Sequence, residues 1–149
     1  GPFVTELKDK VGEHLGSVGA EFGATTGRPR RCGWLDLVAL NYSTMINGFT
    51  ELSLTKLDVL SGLDELKVCT HYSHGGKILD RFPSEAHILK QVEPVYKSFP
   101  GWSEDISGIS NMDELPREAQ NYIDYIEQET GVRISMVATG PKRSQTILR

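Results

Sequence analysis

Two different periodicities alternate along this chain of 149 residues, and that alternation limits the possible folds more than any other feature. Apolar residues recur at helical spacing from Thr5, the expected N-cap, to Gly19, and again from Trp34 to Asn47 in a mostly buried helix. Residues 50–55 alternate between polar and apolar side chains, as a half-buried strand does. Helices that alternate with strands predict an α/β fold built in layers.

The later part of the chain continues this alternation. Pro116 at a first helical turn and Gly131 after the last one bound a clear amphipathic helix. Residues 93–113 show no such pattern and are predicted to be loop. The remaining predictions are a helical turn at 57–63, a hairpin of strands 66–72 and 77–82, a short helix from Pro83 to Val92, a buried strand at 132–139 and a last edge strand at 145–148.

The first two predicted helices are joined by a segment that we call the arginine loop (residues 22–36). It combines three glycines, two threonines and three arginines. Glycine lets the backbone approach a ligand closely, and Arg28, Arg30 and Arg31 carry forked donors that suit carboxylates and phosphates. Pro29 stiffens the segment between the guanidinium groups. The composition indicates an anion-binding loop, with a solvated turn and a nucleic-acid contact as the alternatives.

Two strand ends carry the other candidate contacts. The predicted strand 50–55 runs into Lys56-Leu57-Asp58, and the carboxyl ends of strands are where α/β sheets bind ligands. A carboxylate can accept both the N1–H and the exocyclic amine of guanine, a donor pair that adenine lacks. Lys56 can lay its aliphatic stem along the base. Backbone amides at 138–140 can contact a base or phosphate. An exposed ion pair at 56–58 and a plain turn at 138–140 are the alternatives.

Composition excludes several classes of protein. The chain has 16 Lys and Arg against 20 Asp and Glu, a net charge of −4, which argues against a general surface for polyanions. Two cysteines are too few for a disulfide framework and fit a reducing compartment, so we expect a cytoplasmic protein. Cys69, His71 and His74 offer only three ligands, so no metal site is predicted. No apolar run is long enough to predict a membrane span.

Several motifs together resemble those of adenylosuccinate synthetase. They are Gly1-Pro2-Phe3-x-Thr5-Glu6, the run from Thr25-Thr26-Gly27-Arg28 to Arg31-x-Gly33-Trp34-Leu35-Asp36, Leu54-Thr55-Lys56-Leu57-Asp58, Pro100-Gly101-Trp102, Leu115-Pro116 and the Gly140 turn. They occur in the family's order over essentially the whole chain and belong to its carboxyl-terminal third. The resemblance implies that residues 1–149 are the carboxyl-terminal part of one catalytic domain, a P-loop-NTPase-like mixed sheet flanked by helices.

The resemblance also implies a chemistry. The family is a cytoplasmic, homodimeric, Mg²⁺-dependent ligase of purine (AMP) biosynthesis, in which GTP phosphorylates the 6-oxygen of IMP and the amine of L-aspartate then displaces the phosphate. The implied aspartate- and IMP-binding residues are Ala24, Thr25, Thr26, Gly27, Arg28, Pro29 and Arg30. The implied GTP-binding residues are Arg30, Lys56, Leu57, Asp58, Ala138, Thr139 and Gly140. Neither nucleic acid nor a membrane is an implied partner.

The chain departs from the family's pattern at two points. Ala138 stands where many members have Ser, so only backbone contacts are expected there. No phosphate loop with lysine, catalytic Asp or His, or Mg²⁺ ligands can be matched. We therefore expect catalytic and metal-binding residues to lie outside this chain, and the chain alone to be inactive. The alternatives are a non-catalytic module that binds a guanine nucleotide or a dicarboxylate, and a nucleic-acid-binding protein built on Arg28, Arg30 and Arg31.

Overall fold

The computed structural model describes residues 1–79 and 81–149, which form two compact units. Unit 1 comprises Gly1–Ser43 and Lys67–Ser98, and unit 2 comprises Thr44–Leu66 and Phe99–Arg149. The helices are α1 (Lys10–Val18), α2 (Leu37–Asn47), α3 (Ala86–Leu89) and α4 (Arg117–Thr130). The strands are β1 (Leu35–Asp36), β2 (Glu51–Leu54), β3 (Glu65–His74), β4 (Lys77–Leu79), β5 (Glu93–Pro100), β6 (Arg133–Ala138) and β7 (Thr146–Leu148). Both sheets mix parallel and antiparallel pairs, so the α/β prediction is confirmed.

The sheet of unit 1 is organised around β3. β1 lies parallel to β3, β4 lies antiparallel to it, and β5 also pairs with it. Asp36, the last residue of β1, also caps α2, since its Oδ1 accepts the Ala39 N–H at 3.1 Å. Its Oδ2 accepts the Tyr72 hydroxyl. Burial and the nearby Asp36 carboxylate raise the pKa of the Cys69 thiol to about 12 and also raise the pKa of Tyr72. Both groups are therefore protonated at neutral pH.

The sheet of unit 2 has the order β2-β6-β7, with β2 parallel and β7 antiparallel to β6. One face of α4 is buried, because its apolar residues Ala119, Tyr122, Ile123 and Ile126 recur at helical spacing. Glu127 ties this helix to the sheet: its Oε1 accepts the Ile134 N–H at 2.7 Å and its Oε2 accepts from Arg149 at 2.6 Å. None of the helices within the described ranges has the length and apolar character that crossing a membrane requires.

Most predicted elements are confirmed, and four differ from the structure. The hairpin, the strands at 50–55, 132–139 and 145–148, and the helix that ends at Gly131 are all present. Position 80, within the predicted strand 77–82, lies outside the described residues. The short helix is limited to Ala86–Leu89.

The N-cap of the first helix was wrongly predicted. Asp9 holds this position, since its Oδ1 accepts the N–H groups of Val11 and Gly12 at 3.1 and 3.0 Å. Thr5 is fully buried instead, and its carbonyl accepts the Trp34 N–H at 3.3 Å. Asp9, the polar residue nearer the helix, provides the cap, while Thr5 lies against the arginine loop.

Two further predictions were wrong. The second helix begins only at Leu37, and it is not mostly buried, because Met45 and Ile46 remain 72% and 59% exposed. Part of the predicted loop 93–113 is strand β5. Its prolines, Pro94 and Pro100, hid the strand because proline cannot donate to a sheet, but both lie near its ends, where a missing donor is tolerated.

Candidate functional site

The tip of the arginine loop is a closed turn. The Gly23 N–H donates to the Arg28 carbonyl at 2.8 Å, and the Gly27 N–H donates to the Gly23 carbonyl at the same distance. Phe22 and Pro29 form an antiparallel bridge below it. Gly27 has a φ of +63°, a conformation that favours glycine. The backbone is therefore organised, while the side chains from position 24 to position 28 remain exposed to solvent.

The three arginines of the loop have different surroundings. Arg30 pairs with Glu21 at 3.0 Å. Arg31 lies 3.5 Å from the Glu6 carboxylate, donates to the Gly1 carbonyl at 3.0 Å and lies over the Phe3 ring. Within residues 1–79 and 81–149, the Arg28 guanidinium makes no ion pair or hydrogen bond. Arg28 is thus the guanidinium of this loop with its full donor set available to a ligand.

The base of the loop is packed directly against the first residues of the chain. A Cβ on Gly33 would lie 2.2 Å from the Thr5 carbonyl oxygen, so only glycine fits there. The Leu7 N–H donates to the Cys32 carbonyl at 2.9 Å. A cavity of about 490 Å³ lies beside this contact, and of the predicted substrate-binding residues it is lined by Pro29 and Arg30 but not by the loop tip.

The other predicted contacts lie together in unit 2. β2 and β6 run parallel, with Leu54 opposite Val137. Because the carboxyl ends of parallel strands meet at one edge, the segments Lys56–Asp58 and Ala138–Gly140 leave the same edge of this sheet. We call these two segments the carboxyl edge of unit 2. Arg30, the remaining predicted GTP-binding residue, belongs to unit 1.

The first segment of the carboxyl edge holds an unsatisfied carboxylate. Lys56 has a φ of +60°, which is uncommon for a residue with a side chain, and a 3-10 turn follows at Leu57–Leu60. Leu57 is buried and fixes this turn to the core. Oδ1 of Asp58 is buried and finds no hydrogen-bond partner among the described residues. A buried acceptor without a donor is unfavourable by about 1–3 kcal/mol, a deficit that a bound donor removes.

The second segment is held by Gln145, which the sequence patterns did not single out. Thr139 is fully buried, and its N–H donates to the Gln145 carbonyl at 2.9 Å. The Gln145 side chain accepts the Lys142 N–H at 3.0 Å and donates to the Ser107 carbonyl at 2.7 Å. A Cβ on Gly140 would lie 2.5 Å from the Gln145 Oε1, so glycine leaves room for this side chain. No sequence periodicity could have indicated Gln145, because its side-chain partner Ser107 is distant in sequence.

The described residues do not fit a metal ion. Nowhere in residues 1–79 and 81–149 do three His, Cys, Asp or Glu side chains gather in a metal-binding cluster. Cys69, His71 and His74 make other contacts. The Cys69 thiol donates to the His71 carbonyl at 3.2 Å, and the His74 ring lies 3.2 Å from the Gln91 amide oxygen.

Comparison with known proteins decides the family. A sequence model of adenylosuccinate synthetase matches residues 1–147. The chain belongs to the adenylosuccinate synthetase family. A relative with that name from Salinibacter ruber is 60% identical over 147 residues, which cover 99% of this chain and 34% of the relative. Another from Mycosarcoma maydis is 53% identical over 149 residues, which are the whole chain and 34% of that protein.

A solved structure of a family member agrees with the fold. The fully ligated adenylosuccinate synthetase of Plasmodium falciparum superposes with a TM-score of 0.97 at 45% identity, over the whole chain and 36% of that protein. The mixed sheets with flanking helices are therefore part of this P-loop-like fold, as predicted. The chain spans about a third of the length of the adenylosuccinate synthetases it matches.

The packing at the base of the arginine loop can be tested with two glycines. We expect Gly33→Ala to be destabilising by about 1–3 kcal/mol, because its methyl group would overlap the Thr5 backbone. Gly16→Ala is the control: it lies inside α1, its Cβ would be 4.0 Å from the Cys32 sulfur, and alanine favours a helix by roughly 0.5–1 kcal/mol. Thermal unfolding of the two variants measures the difference. Equal melting temperatures would contradict this account of Gly33.

Proposed function

We propose that this chain is the part of an adenylosuccinate synthetase that binds L-aspartate and reads guanine. The reaction would join IMP to L-aspartate with GTP and give adenylosuccinate, GDP and phosphate, a step of AMP biosynthesis. The observation that carries the proposal is Oδ1 of Asp58 at the carboxyl edge of unit 2, which is buried and has no hydrogen-bond partner in the part of the chain that the structure describes. The cytoplasmic location and the homodimer implied by the family resemblance belong to the same proposal.

Guanine recognition follows from the chemistry of that carboxylate. Asp58 would accept the N1–H and the exocyclic amine of guanine, and this would satisfy its unpartnered oxygen. Adenine presents a lone pair at N1 and would leave the same oxygen without a donor, so discrimination would be strong. Lys56 would lie along the base, while Leu57 and the backbone of Ala138, Thr139 and Gly140 would border it.

Aspartate binding would use the tip of the arginine loop. The exposed segment Ala24–Gly27 offers two hydroxyls and backbone N–H groups, and Arg28 offers a fork that can hold a carboxylate by two parallel bonds. The closed backbone of the tip limits the freedom lost on binding. Arg28 would also contact IMP. Arg30, next to Pro29, would contact GTP and would then give up part of its ion pair with Glu21.

Mg²⁺ would be held outside this chain, because the described residues do not gather ligands for it. When bound, the ion would offset the negative charge of the GTP phosphates during transfer. The residues of this chain would bind and orient two substrates. The proposal thus assigns phosphate-transfer chemistry to the remaining two thirds of a family polypeptide.

A non-catalytic module that binds guanine nucleotide or a dicarboxylate is the second candidate. The same two sets of residues favour it, since neither set needs a catalytic acid or base to bind its ligand. Nucleic-acid binding is less favoured, because Arg30 and Arg31 are paired with Glu21 and Glu6 and the chain is acidic overall.

Catalysis by a hybrid enzyme separates these candidates. We expect no turnover of IMP, L-aspartate and GTP by residues 1–149 alone. We expect turnover by a hybrid enzyme, in which this chain replaces the 147 matching residues of the Salinibacter ruber relative. Adenylosuccinate formation is followed by absorbance. Turnover by the isolated chain would contradict its predicted inactivity, and an inactive, folded hybrid beside an active relative would favour the binding module.

Base recognition is tested by Asp58→Asn in the hybrid enzyme. An amide replaces one acceptor oxygen with a donor, which faces the donors of guanine, so kcat/KM for GTP should fall about 10- to 100-fold relative to ATP. The control is Asp113→Asn, a change of the same kind at an exposed position of unit 2. If Asp58→Asn lowers kcat/KM equally for GTP and ATP, Asp58 has no part in reading the base.

Aspartate binding is tested by Arg28→Lys in the hybrid enzyme. Lysine keeps the charge but loses the fork, so the KM for L-aspartate should rise about tenfold or more. Arg81→Lys, at an exposed position of unit 1, is the matched control and should leave this KM unchanged. An Arg28→Lys enzyme with the parent KM for L-aspartate would remove Arg28 from the aspartate site.

A further inference from the structure

We propose that Gln145 is a positioning residue for guanine recognition. Its side chain holds the turn after β6 in the shape that would border the base, although Gln145 itself need not touch the nucleotide. This inference rests on the proposed function, because it concerns the same carboxyl edge of unit 2. Gln145 lies immediately before β7 and belongs to none of the motifs identified in the sequence.

The Gln145 side-chain amide is used at both ends. Its Oε1 accepts the Lys142 N–H at 3.0 Å, which closes the turn between β6 and β7. Its Nε2 donates to the Ser107 carbonyl at 2.7 Å, which joins the turn to another segment of unit 2. Both bonds go to backbone atoms. The side chain therefore constrains where two pieces of main chain lie.

The backbone of Gln145 constrains the turn as well. Its carbonyl accepts the Thr139 N–H at 2.9 Å and lies 3.2 Å from the Thr139 hydroxyl. That hydroxyl also donates to the Ile109 carbonyl at 3.1 Å, and Thr139 is fully buried. Thr139 and Gln145 thus reach the same segment, at Ile109 and Ser107. These two hydrogen bonds to one segment fix the orientation of the turn after β6.

The tethered segment is itself firmly held. Ile106 is fully buried, and its carbonyl accepts the Ile109 N–H at 3.0 Å. The Ser107 N–H donates to the Asp105 carboxylate at 2.9 Å, a bond that lowers the pKa of Asp105. Ser107 therefore presents its carbonyl to Gln145 from an ordered turn. The Gln145 amide connects the carboxyl edge to this ordered turn.

Gly140 shows that the side chain occupies a defined place at the edge. A Cβ there would lie 2.5, 2.6 and 2.8 Å from the three terminal atoms of the Gln145 amide. The glycine backbone and the amide are therefore in close contact at the residue that would border guanine. Loss of the amide's two bonds would let the turn sample other shapes, and binding would then have to restore the correct one.

The principal test is Gln145→Met in the hybrid enzyme. Methionine keeps the length and volume of the side chain but removes both hydrogen bonds of the amide. We expect the KM for GTP to rise about 5- to 30-fold, with kcat and the KM values for IMP and L-aspartate within about twofold of the parent. Gln145→Glu keeps an acceptor for Lys142 but places a carboxylate oxygen against the Ser107 carbonyl, so its KM for GTP should rise at least as much as in Gln145→Met.

The control is Ser144→Ala, which changes the neighbouring exposed residue of the same turn and should leave all four constants unchanged. A KM for GTP within twofold of the parent in Gln145→Met would overturn the inference. A common rise of all three KM values with a lower melting temperature would also overturn it, since that outcome describes a general scaffold role. If Gln145→Met does not fold, the comparison is made with Gln145→Glu by the same criteria.

Asp58→Asn separates this inference from the function on which it rests. If Asp58→Asn abolishes the preference for GTP while Gln145→Met has no effect, guanine is read at this edge and only the role of Gln145 is wrong. If Asp58→Asn affects GTP and ATP equally, the edge does not read guanine, and the inference about Gln145 fails with the proposed function.

Discussion

The parallel pairing of β2 with β6 is the constraint on which the candidate guanine site depends. An antiparallel pair would send Lys56–Asp58 and Ala138–Gly140 to opposite ends of the sheet, whereas the parallel pair brings them to one edge. The register contains an irregularity between Leu52 and Ser53, after which Leu54 lies opposite Val137.

The sequence indicated the two segments of the carboxyl edge but not which residues they lie beside. Strand alternation before Lys56 and the turn after residue 139 predicted two strand ends correctly, because periodicity is a local property. Strand pairing is not local, so nothing in the patterns placed those two ends side by side. The resemblance to the family supplied that expectation. The sequence patterns did not indicate the role of Gln145 for the same reason, since its amide donates to Ser107, which is remote in sequence.

Misassigned elements show where local rules compete. Thr5 and Asp9 are both good N-caps, and the rule alone does not choose between them. The choice follows from packing, because Gly33 has no Cβ and so lets the Thr5 carbonyl approach, which commits the Thr5 backbone to the arginine loop. In β5, pairing with β3 outweighs the low strand propensity of Pro94.

Two locally unfavourable features of unit 2 lie at its carboxyl edge. Lys56 adopts a left-handed conformation, and Asp58 has a buried oxygen that receives no hydrogen bond from residues 1–79 or 81–149. Each is locally unfavourable, and each persists because the buried Leu57 between them holds the turn in place. A bound guanine would remove one of these costs directly by donating to Asp58. The arginine loop follows a different logic: backbone hydrogen bonds close its tip, and of its three guanidinium groups only that of Arg28 stays unpaired within the described residues. One site would gain affinity by satisfying a buried acceptor and the other by pairing an exposed cation, so salt should weaken aspartate binding more than guanine recognition.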